Sequence, residues 1–200
     1  MKNTRHQWTL LVVTLLSAVA AVRSVQAQVT NAPDPRGAAG RAISQQFGAE
    51  LKGALEKALA EKGPTGAIVV CRDEAPRIAA RLSTERGVTV SRTALRVRNP
   101  GNAPRPWQRT GLESFGRRLA SGEKAEALEV FEAKPDGSAR YLKAIVTAPL
   151  CVVCHGDAIP PEVQRVLKEH YPLDEATGFK VGDLRGAFSV QWPARTSNAP

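Results

Sequence analysis

Residues 151–156 read CVVCHG and gather two of the chain's three cysteines and one of its three histidines. Two thiols three residues apart stand on one helical turn. From there both can add to vinyl groups along one edge of a porphyrin, and the adjacent histidine can turn its imidazole to the iron. Cys151, Cys154 and His155 therefore match the attachment motif of a covalent haem c, one per chain. A zinc ion generally takes four protein ligands, often from two such pairs, and only Cys71 and His170 remain to complete one. A thioredoxin-like dithiol would open a helix after a strand and leave His155 without a task.

The second axial position is constrained by composition. Electron-transfer cytochromes c commonly use histidine plus methionine, but Met1 is the only methionine here. It lies with His6 in an N-terminal segment that reads as removable. The rest of the chain offers His155 and His170 as histidines and Cys71 as the odd thiol. The candidates are then Cys71, His170, a lysine, solvent or nothing. Cys71 is as readily a small apolar core residue as a ligand.

Residues 1–27 have the layout of a secretory signal peptide. Lys2 and Arg5 precede an apolar run from Trp8 to Val22, and Val25-Gln26-Ala27 offers small residues for cleavage before Gln28. That run falls short of the roughly 20 residues needed to span a bilayer, so no stable membrane anchor is expected after cleavage. Export to the periplasm suits a haem c, which is attached on that side of the membrane. Removing three of the 28 basic residues leaves 25 against 19 acidic ones, a net +6. The excess is scattered, without the basic stripe and interleaved aromatics of a nucleic-acid footprint. It suits a solvated surface that steers an acidic redox or signalling partner, whose identity is unknown. The odd cysteine count argues against a disulfide framework.

The elements that must position these residues follow from periodicity. Residues 28–40 are Pro-, Gly- and Ala-rich and read as a flexible lead, with the haem c domain over 41–195. Ile43, Phe47, Leu51, Leu55 and Leu59 recur every four residues in a helix that Gly63-Pro64 stops. GAIVVC (66–71) reads as a short buried strand ending at Cys71, 76–84 as helix, 88–97 as extended, and 98–106 as a loop. A helix over 107–120 precedes two extended runs, 126–133 and 139–148, joined into a hairpin by Lys-Pro-Asp-Gly. A short helix (160–172) and a last strand (185–192) complete an α+β order, an antiparallel sheet flanked by helices. Trp107, Phe115, Tyr141 and Phe188 are expected in packing rather than chemistry.

In order along the chain, four blocks carry a resemblance: AIVVCRDEAPRIA (67–79), SRTALRVRNPGNAPRPW (91–107), CVVCHG (151–156) and YPLDEATGFKVGDLRGAFSV (171–190). The chain resembles the small periplasmic single-haem c-type proteins formerly catalogued as a domain of unknown function, which also occurs as the sensor part of histidine kinases. The resemblance covers roughly 40–192 and implies a PAS-like α+β fold. It also implies His155 as one axial ligand and Cys71, the cysteine of the first block, as the other. The family's commoner acidic residue before the tryptophan of the second block is Arg105 here.

Haem propionates need cationic or hydrogen-bonding partners, and Arg98, then Asn99, are the candidates in the Pro-rich loop. Asn99 serves equally well as a turn former. Asp183 and Arg185 are expected to pair and fix the last strand. No Ser-His-Asp set, phosphate loop or carboxylate pair can be assembled, so no enzyme is expected. The expected function is redox sensing or electron transfer, with a haem-based sensor of diatomic gases as the alternative.

Overall fold

Gly63 and Pro64 set the course of the first element. The computed structural model describes residues 33–194, and helix α1 runs Pro35–Arg86 with a break at Gly63, where φ is 65° and ψ is −174°. That backbone suits glycine, and Pro64 then opens a second arm, at the place where a proline without an N–H costs least. The expected stop is thus a bend, after which the helix resumes. The strand expected over 66–71 is part of this second arm. The β-branched run Ile68-Val69-Val70 is overridden by the proline-started helix and by packing, since Ile68 is buried against helix α4 (Pro161–His170) together with Val163, Val166 and Leu167.

The helix also begins earlier than the expected lead allowed. Asp34 accepts from the Arg36 N–H at 2.9 Å and caps the helix start. Gly40 is buried with its Cα so close to Tyr141 that a Cβ would stand 2.6 Å from the ring. Residues 35–40 are therefore helix packed on the sheet. The expected signal peptide and residues 28–32 lie outside the described residues. Among the described residues, no helix is long and apolar enough to cross a membrane.

Four strands, β1 (Thr89–Thr93), β2 (Glu129–Ala133), β3 (Ala139–Val146) and β4 (Leu184–Trp192), form one antiparallel sheet in the order β1-β4-β3-β2. The expected hairpin is β2–β3, closed by Lys134 and Gly137 and by Asp136, which accepts from the Ser138 N–H. Alternation along β4 sends Val190 and Phe188 to one face, where the first arm of α1 contributes Ile43 and Phe47. The opposite face carries Ala187, Leu142 and Ala144 against Leu112 and Phe115 of helix α2 (Pro106–Ala120). Gln108 of α2 bonds the buried Ser189 hydroxyl at 3.0 Å and registers this helix on the sheet. The fold class is the expected one, an antiparallel sheet flanked by helices. Beyond β3 the chain enters a 3-10 turn and then the one-turn helix α3 (Val152–His155), which brings the cysteine–histidine run to the end of the sheet.

Candidate functional site

The turn is held by main-chain bonds before any side chain acts. Gly156 N donates to Val152 O at 2.9 Å and closes α3. The segment before β4 lies alongside, with Phe179 N donating to His155 O at 2.9 Å and Gly178 N to Gly156 O at 2.7 Å. Upstream, Thr147 N donates to Asp183 O at 2.8 Å. The run is therefore strapped to residues 176–183, more than twenty positions away in sequence.

His155 is oriented by this strap. Its Nδ1 stands 2.6 Å from Ala176 O, and a carbonyl only accepts, so Nδ1 carries the proton and Nε2 keeps its lone pair. Phe179 packs edge-on to the imidazole at 6.3 Å. Burial, and then the Arg185 and Arg98 cations, push the His155 pKa well below the usual imidazole range. The result is a neutral imidazole with a fixed tautomer, the state in which histidine binds a metal.

Arg98 ties the neighbourhood together. Its Nε donates to Asp174 Oδ2 at 2.9 Å, and its side chain and that of Asp174 are only 12% and 10% exposed. The same guanidinium donates to Cys154 O at 2.5 Å and Ala176 O at 3.3 Å, and lies 3.5 Å from His155 Nε2. Asp174 in turn accepts from Ala176 N at 2.8 Å. Arg98 thus lies against the cysteine–histidine turn, and much of its charge is met by Asp174.

Cys71, Cys151 and Cys154 are all free thiols, each half-buried. Ile68, one turn before Cys71, is packed in the cluster that Cys154 also touches. Through that packing α1 brings Cys71 within electrostatic reach of both cysteines of the turn. Burial raises the Cys71 and Cys154 thiol pKa values, while neighbouring arginines pull the other way. The resemblance's pairing of Cys71 with the turn therefore has a spatial counterpart, from a helix rather than a strand. His170 ends α4 with Nδ1 3.0 Å from an Arg72 guanidinium nitrogen. Among the described residues, no three His, Cys, Asp or Glu side chains converge as a metal ion alone would require, so the two-pair zinc arrangement is not built.

Asn99 is exposed, and its Oδ1 accepts from Gly101 N at 2.9 Å, the turn-forming use that the sequence also allows. One expectation is corrected. Asp183 does not pair with Arg185. Its Oδ2 accepts from Lys180 N at 2.7 Å, while Arg185 reaches Arg96 O at 3.3 Å. Arg105, the departure in the second block, is exposed at the start of α2, where its N–H donates to Gln108 at 2.8 Å.

Residue-by-residue reading missed Arg92, Asp174 and Ala176, and gave Arg185 only a structural pairing. All four fall within the blocks that carry the resemblance, which was the available signal. Arg92 is half-buried, and desolvation pulls its pKa down. Arg185 is lowered to about 10, by burial first and then by the cations of Arg98 and Arg92. Carboxylates hold most other arginines of the described chain, as Glu129 holds Arg41 and Glu123 holds Arg118.

A family model described as Tll0287-like matches residues 3–193. No curated protein matches the chain. Among solved structures, the crystal structure of the cyanobacterial heme-protein Tll0287 aligns with a TM-score of 0.64 at 24% identity, over 82% of this chain and 100% of that one. At that identity the likeness speaks for the fold.

Proposed function

The chain belongs to the Tll0287-like family, and from that membership and the geometry of the turn we propose that it is an exported haem c protein acting in redox sensing or electron transfer. The solved relative in fold is itself described as a heme-protein. The observation that carries the reading is a single turn at the end of the sheet that presents two free thiols three residues apart beside a neutral, tautomer-fixed histidine, with the Cys71 thiol in electrostatic reach of it. Cysteines three apart on one turn fit thioether attachment, buried cations suit carboxylates, and the surrounding apolar cluster suits a flat aromatic macrocycle.

When bound, the group supplies an iron that exchanges one electron. The chain's own residues do the rest. Cys151 and Cys154 fix the macrocycle. His155 offers Nε2, its basicity raised by the Nδ1–H bond to Ala176 O. Cys71 offers a sulfur from α1. Arg98 and Asp174 hold the strap that sets the His155 ring. No group here is assigned a part in substrate turnover. The partner would be a redox or signalling protein that meets this module in the periplasm.

The test is expression in a host with a haem c maturation system. The exported chain should begin at Gln28 by mass spectrometry and keep its haem through denaturing electrophoresis. Haem that acidic solvent extracts, or a colourless product, refutes the reading. Carbon monoxide then separates the two roles. Slow, incomplete binding to the ferrous protein fits a ligated sixth position and a redox role. Fast stoichiometric binding fits the gas-sensor alternative.

A further inference from the structure

Arg92 and Arg185 differ from the arginines around them. Among the described residues, Arg92 enters no ion pair and meets no hydrogen-bond acceptor, and its guanidinium carbon lies 5.9 Å from the centroid of the Phe47 ring. Arg185 has one long bond, to Arg96 O at 3.3 Å, lies 5.3 Å from the Phe179 ring centroid, and buries an Nε that has no acceptor. The third cation of the group, Arg98, is already matched by Asp174.

Removing a guanidinium from water without an anion is costly, and several like charges in mutual reach make it more so. The fold nonetheless holds both in place from the sheet. Arg92 sits on β1 opposite Phe188, and Arg185 at the start of β4. Both charges are felt at His155, and the sulfur of Cys71 lies within the field of Arg92. A site that keeps two arginines, each without a carboxylate partner, in electrostatic reach of its ligand residues is suited to two negative charges, and a planar guanidinium suits a carboxylate in particular.

We propose that Arg92 and Arg185, rather than Arg98, are the carboxylate-binding residues of the site and receive the two propionates of the haem. The inference rests on the haem reading above. Arg98 is then a structural strut, and the two unmatched arginines set the charge felt by the iron. Adding an electron is favoured by nearby positive charge, so loss of either arginine stabilises the oxidised form.

Mature protein matured with haem, and its Arg92→Gln, Arg185→Gln, Arg92→Lys, Arg185→Lys and Arg77→Gln variants, would be titrated spectroelectrochemically at one pH and ionic strength. Arg77 is exposed and paired with Glu74, so its variant should match the parent. Each glutamine variant should lower the midpoint by about a tenfold change in the oxidised-to-reduced ratio, about 59 mV for one electron. Each lysine variant should recover most of that shift. Arg92→Gln should shift the midpoint equally in a Cys71→Ser background. A shift that disappears there shows Arg92 acting on the sulfur and overturns its assignment. Haem-bearing glutamine variants at the parent midpoint overturn the inference and leave the haem reading standing. If a glutamine variant emerges without haem, restoration by lysine supports the charge role, and no restoration overturns it. A colourless parent overturns the haem reading and this inference with it.

Discussion

Breaking the Arg98–Asp174 pair should loosen the site more than any exposed ion pair in the chain would. The two groups are 12% and 10% exposed and 2.9 Å apart. Removing one partner of such a buried pair costs about 3–5 kcal/mol, because the survivor is left charged and poorly solvated. Asp174→Ala leaves Arg98 with neutral partners alone, the carbonyls of Cys154 and Ala176 and the distant His155 Nε2, and also strips the Ala176 N–H of its acceptor. Arg98→Met leaves the Asp174 carboxylate with that single N–H. Each change should therefore fall in the 3–5 kcal/mol range, or a Tm loss of roughly 6–20 °C at about 2–4 °C per kcal/mol for a chain of this size.

The double change Arg98→Met with Asp174→Leu replaces both charges by apolar volume. It should cost less than the two single changes together by about 2 kcal/mol or more, since no orphaned charge remains. Urea unfolding of the purified mature chain, followed by two probes to check two-state behaviour, gives all four corners of the cycle. The reasoning fails if either single variant costs under about 1 kcal/mol, the range of an exposed pair. It also fails if the double variant is additive, for then the strap is held by main-chain bonds alone.

Three further outcomes follow from the same geometry. Cys71→Ser should raise the reduction potential and abolish the thiolate-type ferric spectrum, because an anionic sulfur favours ferric iron, while His170→Ala should do neither; the reverse pattern would assign the ligand to His170. In the haem-free Cys151→Ser/Cys154→Ser chain, His155 is neutral when folded but takes up a proton on unfolding near pH 6.5. The unfolded state then binds more protons below that pH, so stability is full above about 6.5 and falls as the solution is acidified; His155→Gln should flatten that part of a urea-midpoint profile, and an unchanged slope would refute it. Gly40→Val should cost about 1–3 kcal/mol by crowding Tyr141, read by thermal unfolding, whereas a neutral result would mean that the helix start does not pack as described.

The parts legible in the sequence were those in which local chemistry and tertiary packing agree. Lys134-Pro135-Asp136-Gly137 makes its turn from its own residues, and β2 and β3 follow. The four-residue stripe of α1 buries Ile43 and Phe47, as its period implies. Agreement broke at Ile68-Val69-Val70, whose β-branched run argues for a strand. The helix won because Pro64 starts it and Ile68 finds a partner in α4, a contact about a hundred residues away that no local window contains. Residues 35–40 differ in the same way: glycine and alanine there read as slack, but the segment is helix and Gly40 lies against Tyr141.

At the site, residue type was readable and pairing was not. Cys151, Cys154 and His155 announce themselves because their chemistry needs only one turn of chain. An arginine carries no sign of whether a carboxylate awaits it. Arg98, beside Asn99 in a polar loop, looked like the free cation, and Arg185, two residues from Asp183, looked like the neutralised one. The fold reverses both, because a neighbour in sequence on a strand or turn points away, whereas Asp174 comes to Arg98 across 76 positions. Asp183 meanwhile turns its carboxylate to the Lys180 N–H and closes its own turn. What distinguishes Arg92 and Arg185 is that, half-buried, neither meets a carboxylate among the described residues, and that property belongs to the whole arrangement rather than to either residue. It becomes visible only when the ion pairs of the fold are taken together.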